Sequence, residues 1–187
     1  MHVHLCINFL FMKWRNFLAF IVFTVAAFNC SYGQKVVSIP AYTAYAIPTE
    51  ESNDDGKSSL FKEKAGIQNW SDTKQQIQFY FSIRNTGKLN LSLLLKNDFA
   101  GNKLTASFAG KKFTCIVPQS KNFKQVTIGT VEIKEPGFYA LILSAPVKKG
   151  KTIAAIKSLE LSDTATKDMH FNVKPRKNAA SVHLMYP

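Results

Sequence analysis

The sequence predicts an all-β fold, a jelly-roll-like antiparallel β-sandwich placed after an N-terminal signal peptide. Three observations carry this. Beyond residue 33 no stretch keeps a helical period for three turns, while alternation of apolar and polar residues recurs along the chain. The alternating runs are short and separated by glycine-bearing turns, "NTGK", "AGKK", "EPG" and "KKGK". Residues 34–187 are enough for one domain with its own core and too few for two comfortable ones.

The first element is the leader. Met12 opens "MKWRN", so Lys13 and Arg15 precede the apolar run from Phe17 to Phe28, and "CSYGQ" follows. A basic start, a short apolar middle and small residues at the end describe a secretory signal peptide, cut after Gly33. Met12 is an alternative start to Met1. The run is short of the roughly 20 apolar residues of a spanning helix. Lipid attachment at Cys30 is disfavoured by Phe28 and Asn29 before it. Export to the periplasm or cell surface is the expected location, with residues 34–177 as the β-domain and 178–187 as a tail.

Candidate strands follow at 35–47, 76–84, 89–96, 103–109, 112–117, 125–133, 138–145 and 155–162, with a weaker one at 169–174. Between the first two, "EESNDD" gathers Glu50, Glu51, Asp54 and Asp55. Hard oxygen ligands for calcium cluster there, but the spacing fits no loop motif, so a solvated loop is the better reading. Trp70 in "IQNWSD" is read first as a wedge at the sheet edge, its N–H bonded to a loop, and second as a ligand-facing ring.

The runs at 76–84 and 89–96 suggest a hairpin. Ile77, Phe79, Phe81 and Ile83 share one face, as do Leu89, Leu91, Leu93 and Leu95. A three-residue loop at 85–87 with Gly87 left-handed would pair Ile83 with Leu89, Phe81 with Leu91 and Phe79 with Leu93. The opposite face would then align Gln78, Tyr80, Ser82 and Arg84 beside Asn90 and Ser92. The plain reading is the solvent face of an antiparallel sheet. The functional reading is a platform on which Tyr80 stacks against a sugar ring while the amides and Arg84 bond its hydroxyls. Tyr42, Tyr45, Tyr139 and Trp70 are reserve aromatics.

Cys115, in phase with Phe113 and Val117, is the one cysteine after the leader, so no internal disulfide is available and a buried small hydrophobe is expected. In "QVTIGTVEI" the apolar phase slips between 128 and 131, which places a bulge near Gly129-Thr130. The formal charge is +12, and +10 once Lys13 and Arg15 are set aside with the leader. Basic residues cluster at Lys111-Lys112, at Lys148, Lys149 and Lys151, and at Lys174, Arg176 and Lys177. In an exported protein such a field favours anionic glycans or a membrane surface over nucleic acid. Charge runs of this size are also ordinary solvated loops.

Catalytic signatures are missing from the residues. His170 and His183 follow the leader without paired cysteines or an HExxH helix for zinc. There is no GxSxG elbow, phosphate loop or dinucleotide fingerprint. No carboxylate pair stands out on an apolar strand, so glycoside hydrolysis ranks last. No cofactor and no metal are expected, and the chain reads as non-catalytic.

"VSIPAYTAYAIPT", "GIQNWSD", "GKLNLSLLLK", "IGTVEIKEPGFYAL" and "SVHLMYP" occur in this order along the chain. In this the chain resembles a family of secreted bacterial domains of unknown function, the N-terminal, carbohydrate-binding-module-like domain that usually precedes a second uncharacterised domain. The resemblance covers essentially all of 34–187 and implies a jelly-roll sandwich with no established active site. It also implies that 178–187 is the lead-in to a following domain. The leading expectation is an exported carbohydrate-binding module. The alternatives are a structural or docking domain that engages another protein domain through its apolar tail, and a charge-driven binder of anionic surface polysaccharide.

Overall fold

The computed structural model describes residues 35–48, 60–62 and 64–173. The segment 1–33 expected to be a leader, the acidic run 50–55, the basic residues 174–177 and the expected tail 178–187 lie outside the described residues.

The strands are β1 Val37–Pro40, β2 Tyr45–Ile47, β3 Phe61–Lys62, β4 Gly66–Trp70, β5 Gln76–Ile83, β6 Gly87–Asn97, β7 Asn102–Phe108, β8 Lys111–Val117, β9 Ser120–Ile133, β10 Gly137–Val147, β11 Ala154–Ser162 and β12 His170–Phe171. They form two antiparallel sheets. The first has the order β3-β4-β11-β6-β9, with β1 beside the remaining length of β11. The second has the order β12-β5-β10-β7-β8, with β2 beside the other half of β5. Apart from the hairpins β3–β4 and β7–β8, every connection between described neighbours from β4 onward carries the chain from one sheet to the other. This is the predicted all-β sandwich.

The predicted hairpin of 76–84 with 89–96 does not form. β5 pairs with β10, β2 and β12, and β6 pairs with β11 and β9. Residues 84–86 cross from the second sheet to the first. Both apolar faces are still buried, Ile77, Phe79, Phe81 and Ile83 on one side of the core and Leu89, Leu91, Leu93 and Leu95 on the other. The physical reason lies in the parity itself: two alternating strands bury their faces equally well side by side or across the gap of a sandwich. Gly87 does have a positive φ of 123°, but it opens β6, where a Cβ would strike the Thr164 side chain.

The predicted strand 35–47 is also two strands. Pro40 has no N–H to continue a ladder, and a 310 turn at Ala41–Thr43 follows, closed by the Ala44 N–H on Ala41 O at 3.2 Å. β1 therefore joins the first sheet and β2 the second. The bulge in β9 falls one residue earlier than expected, since Leu91 pairs with Gly129 and Ser92 with Thr127, leaving Ile128 over. Ala109 (φ 47°) and Gly110 (φ 74°) make the two-residue β7–β8 turn, both left-handed as a type I′ turn requires.

Trp70 is 0% exposed, with its ring in the core and its N–H donated to Asp72 O at 3.2 Å. It is the wedge the sequence suggested, on a strand, β4, that the periodicity did not reveal. Its carbonyl accepts from the Ile153 N–H at 2.7 Å. The connection before β11 is held from the other side by Asn102, fully buried at the start of β7. Its Nδ2 donates to Thr152 O (2.9 Å) and Ile153 O (2.7 Å), and its Oδ1 accepts from the Lys149 N–H. Asn102→Leu keeps the volume and removes all three bonds. We expect it to lower unfolding free energy by about 2–4 kcal/mol in urea titrations, with the m-value unchanged.

Candidate functional site

The outward side of the second sheet is the unusual surface. Because Ile77, Phe79 and Phe81 point inward, Gln78, Tyr80 and Ser82 point out. On β10 the inward residues are Leu141, Leu143 and the partly buried Tyr139, so Phe138, Ala140 and Ile142 share the outward side. The register sets Phe138 opposite Ser82, Ala140 opposite Tyr80 and Ile142 opposite Gln78. On the far side of β5, Tyr45 lies opposite Gln78 and His170 opposite Ser82.

Two rings stand out here. Tyr80 is 50% exposed and Phe138 69% exposed. They are diagonal neighbours across one strand pair, a relation close enough for two aromatic side chains to serve one ligand. Ala140, beside Tyr80, presents only a methyl group and leaves the space next to the ring open. The Tyr80 ring is braced edge-on by Tyr45, at 5.5 Å between centroids and 81° between planes. Its hydroxyl donates to Gln78 Oε1, and Gln78 is almost fully buried beneath this cluster. Ser82 lies between Phe138 on β10 and His170 on β12, and the exposed Arg84 follows the end of β5. The arrangement offers two ring faces, one of them fixed, with donors at the margin. Such a surface suits stacking against a flat, partly apolar ligand.

Of the residues singled out from sequence, Gln78, Tyr80 and Ser82 share this surface. Asn90 and Ser92 do not. They lie on the outward side of the first sheet, because the hairpin that would have joined them to Tyr80 does not form. Asn90 is committed there: Thr130 Oγ1 donates to its Oδ1 at 2.6 Å, and its Nδ2 donates to Asp163 Oδ2 at 3.2 Å. Ser92 is buried.

Among the reserve aromatics Tyr45 joins the site and three leave it. Trp70 is core. Tyr139 packs on Phe108 at 5.6 Å and donates its hydroxyl to Glu135 O at 2.6 Å. Tyr42 donates to Val173 O at 3.0 Å.

The lysine loop is partly structural. Lys148 Nζ donates to Ser71 O at 2.7 Å, and the Lys149 stem lies over Gly101, while Lys151 is exposed. Phe138 was missed, although parity was available. With Leu141 and Leu143 inward, Tyr139 must follow them and Phe138 must face out. No group of three or more metal-ligating side chains occurs among the described residues, and the candidate calcium ligands lie outside them. Cys115 is half-buried on β8, and burial pushes its thiol up from the usual range.

A family model described as "Domain of unknown function (DUF5077)" matches residues 41–166. No curated protein sequence matches the chain. Among solved structures, the CBM35 from Cellvibrio japonicus Abf62 has a TM-score of 0.51 at 14% identity, covering 74% of this chain and 98% of that one. The GH26-CBM35 β-(1,4)-mannanase of Podospora anserina has a TM-score of 0.49 at 14% identity, covering 69% of this chain. This chain spans only 28% of that enzyme's length. The C-terminal CBM6 of LamC from Zobellia galactanivorans has a TM-score of 0.47 at 15% identity, covering 69% of this chain and 100% of that one. Identities this low concern the fold alone.

The raised thiol of Cys115 keeps it protonated at pH values where an exposed cysteine already forms thiolate. Alkylation by iodoacetamide at pH 8 is therefore expected to run at least about tenfold slower in the folded protein than in urea, as read by mass spectrometry. Phe138→Ala, at a site that packs little, is expected to change unfolding free energy by less than about 0.5 kcal/mol.

Proposed function

We infer from the outward face of the second sheet that this chain, which belongs to the DUF5077 family, is a carbohydrate-binding module. The observation that carries the reading is the pair Tyr80 and Phe138, large rings left open to solvent on adjacent strands. A sugar ring has an apolar face of axial C–H groups and a rim of hydroxyls. Tyr80, braced by Tyr45 and Gln78, meets the first without losing much side-chain freedom. Ser82, His170 and Arg84 meet the second. The sandwich of carbohydrate-binding modules, shared at the level of fold by the Cellvibrio japonicus module, agrees with this reading. Part of the same proposal is a non-catalytic, exported role, the export supported by the basic start, short apolar run and small residues between Met12 and Gly33.

A second reading has one observation in its favour. Ile47, Val147 and Ile116, all exposed, extend the apolar character of the same surface toward the opposite end of the sheet. A face of this kind also suits a docking domain, whose partner would be a protein rather than a glycan.

The test is affinity electrophoresis and calorimetry of the full chain against a panel of neutral polysaccharides. Tyr80→Ala and Phe138→Ala should each weaken binding by roughly 3- to 10-fold, the value of one aromatic stacking contact. Raising salt to 0.5 M should leave binding nearly unchanged, because stacking carries no net charge. If no polysaccharide binds while the chain associates with itself or with a protein through the same two rings, the docking reading replaces this one.

A further inference from the structure

The outward side of the first sheet divides into two halves of different chemistry. One half is neutral or balanced. Glu160 accepts from Ser38 Oγ at 2.8 Å and from Ser158 Oγ, and Glu132 faces Lys88 as its direct cross-strand partner.

The other half is a cationic lane. Lys62 on β3 is the register partner of Gly66 on β4. Since Phe61 packs against the core, the exposed Lys62 faces out. Gly66 lies directly against β11, where a Cβ would collide with Ile156 O and approach the Lys157 Cα at 3.0 Å. Lys157 is the extra residue of a bulge in β11, between the pairs Ile156–Leu95 and Ser158–Leu94. On β6, Lys96 stands outward between the buried Leu95 and Asn97. Phe123 of β9 completes the lane, with Lys96 Nζ 5.1 Å and Lys157 Nζ 5.9 Å from its ring centre.

Several features separate this lane from scattered surface charge. Two ammonium groups share one aromatic ring, so both are held in place although they repel each other. None of Lys62, Lys96 and Lys157 is ion-paired with a described residue. The three lysines fall within four neighbouring strands, β3-β4-β11-β6, roughly 14 Å at the usual strand spacing of about 4.8 Å, with Phe123 one strand further on β9, and Gly66 on β4 adds no side chain between Lys62 and Lys157. Like charges fixed side by side complement a chain that repeats its own negative charge at intervals, and they give little to a single small anion.

We propose that this lane is a second binding surface, for an anionic polysaccharide, on the sheet opposite the Tyr80 and Phe138 platform. It is independent of the proposed platform. The lysines differ from those of the 148–151 loop, and the contact is electrostatic rather than stacking. Polymer laid across the strands would exchange sodium ions for the three ammonium groups, so binding should fall steeply as salt rises.

The test uses the full chain and polygalacturonate as probe, with dextran as the uncharged control, in 50 mM and 500 mM NaCl. One variant is Lys62→Gln/Lys96→Gln/Lys157→Gln. A second, Lys103→Gln/Lys111→Gln/Lys112→Gln, removes the same charge from β7 and β8. The first should weaken polygalacturonate binding about tenfold at low salt, the second by less than about twofold. Tyr80→Ala should leave polygalacturonate binding unchanged, which separates failure of this proposal from failure of the platform. Equal losses from both lysine variants would mean that net charge alone attracts the polymer, and would overturn the proposal. So would binding that survives 500 mM NaCl, or no binding of polygalacturonate at any salt. Circular dichroism of both variants confirms that neither loss reflects unfolding.

Discussion

The burial of two apolar combs in one core governs this molecule. Ile77, Phe79, Phe81 and Ile83 on β5 line that core from the second sheet and Leu89, Leu91, Leu93 and Leu95 on β6 from the first, and both sets are essentially inaccessible to water. Side chains from two sheets fill a layer about 10 Å thick. The short passage from β5 to β6 must span that thickness instead of turning back within a sheet. Once it does, the outward sides of the two strands are committed to opposite surfaces of the domain. The separation of Tyr80 from Asn90 is a direct result, and so is the existence of two surfaces with unrelated chemistry.

The fold class could be read from the sequence because alternation and glycine turns are local properties. Partner choice could not. Parity says which residues point inward, and it is silent on whether two strands lie beside or across from one another. The same limit explains the candidate site. Tyr80, Gln78 and Ser82 were readable because they alternate on a single strand. Tyr45, Phe138 and His170 reach them through pairings between distant parts of the chain. Trp70 could be placed in the core on chemical grounds, since an indole with its N–H satisfied by a nearby loop loses nothing by burial. Asn90 resembled a ligand-binding amide until its own bonds to Thr130 and Asp163 were seen.

Polar side chains inside and at the ends of the sandwich act mainly on the backbone. Asn102, Trp70 and Lys148 each bond a main-chain group in the loops at one end. At the other end Asn85 donates to Lys167 O at 2.5 Å and Thr164 Oγ1 accepts from the Lys88 N–H at 2.9 Å. The chain crosses between sheets so often that its connections meet few ladder partners of their own. Side-chain bonds of this kind substitute for them, which leaves the aromatic rings of the outward face without a comparable structural duty.

The free side of β5 is closed by two short strands rather than one long one, β2 along its first half and β12 along its second. Strands of two or three residues hold few hydrogen bonds, and segments of that kind open at a small fraction of the global unfolding free energy. Tyr45, which braces Tyr80, rides on the first, and His170, across Ser82 from Phe138, rides on the second. The geometry of the ring platform is thus set by the least cooperative parts of the sheet. A ligand seated there would find a fraction of molecules with one side undone, and its apparent affinity would be scaled by the fraction intact. A ligand bound there would in turn suppress fraying on both sides of β5, so amide exchange in 45–47 and 170–171 would be coupled to occupancy of a surface that neither strand could form alone.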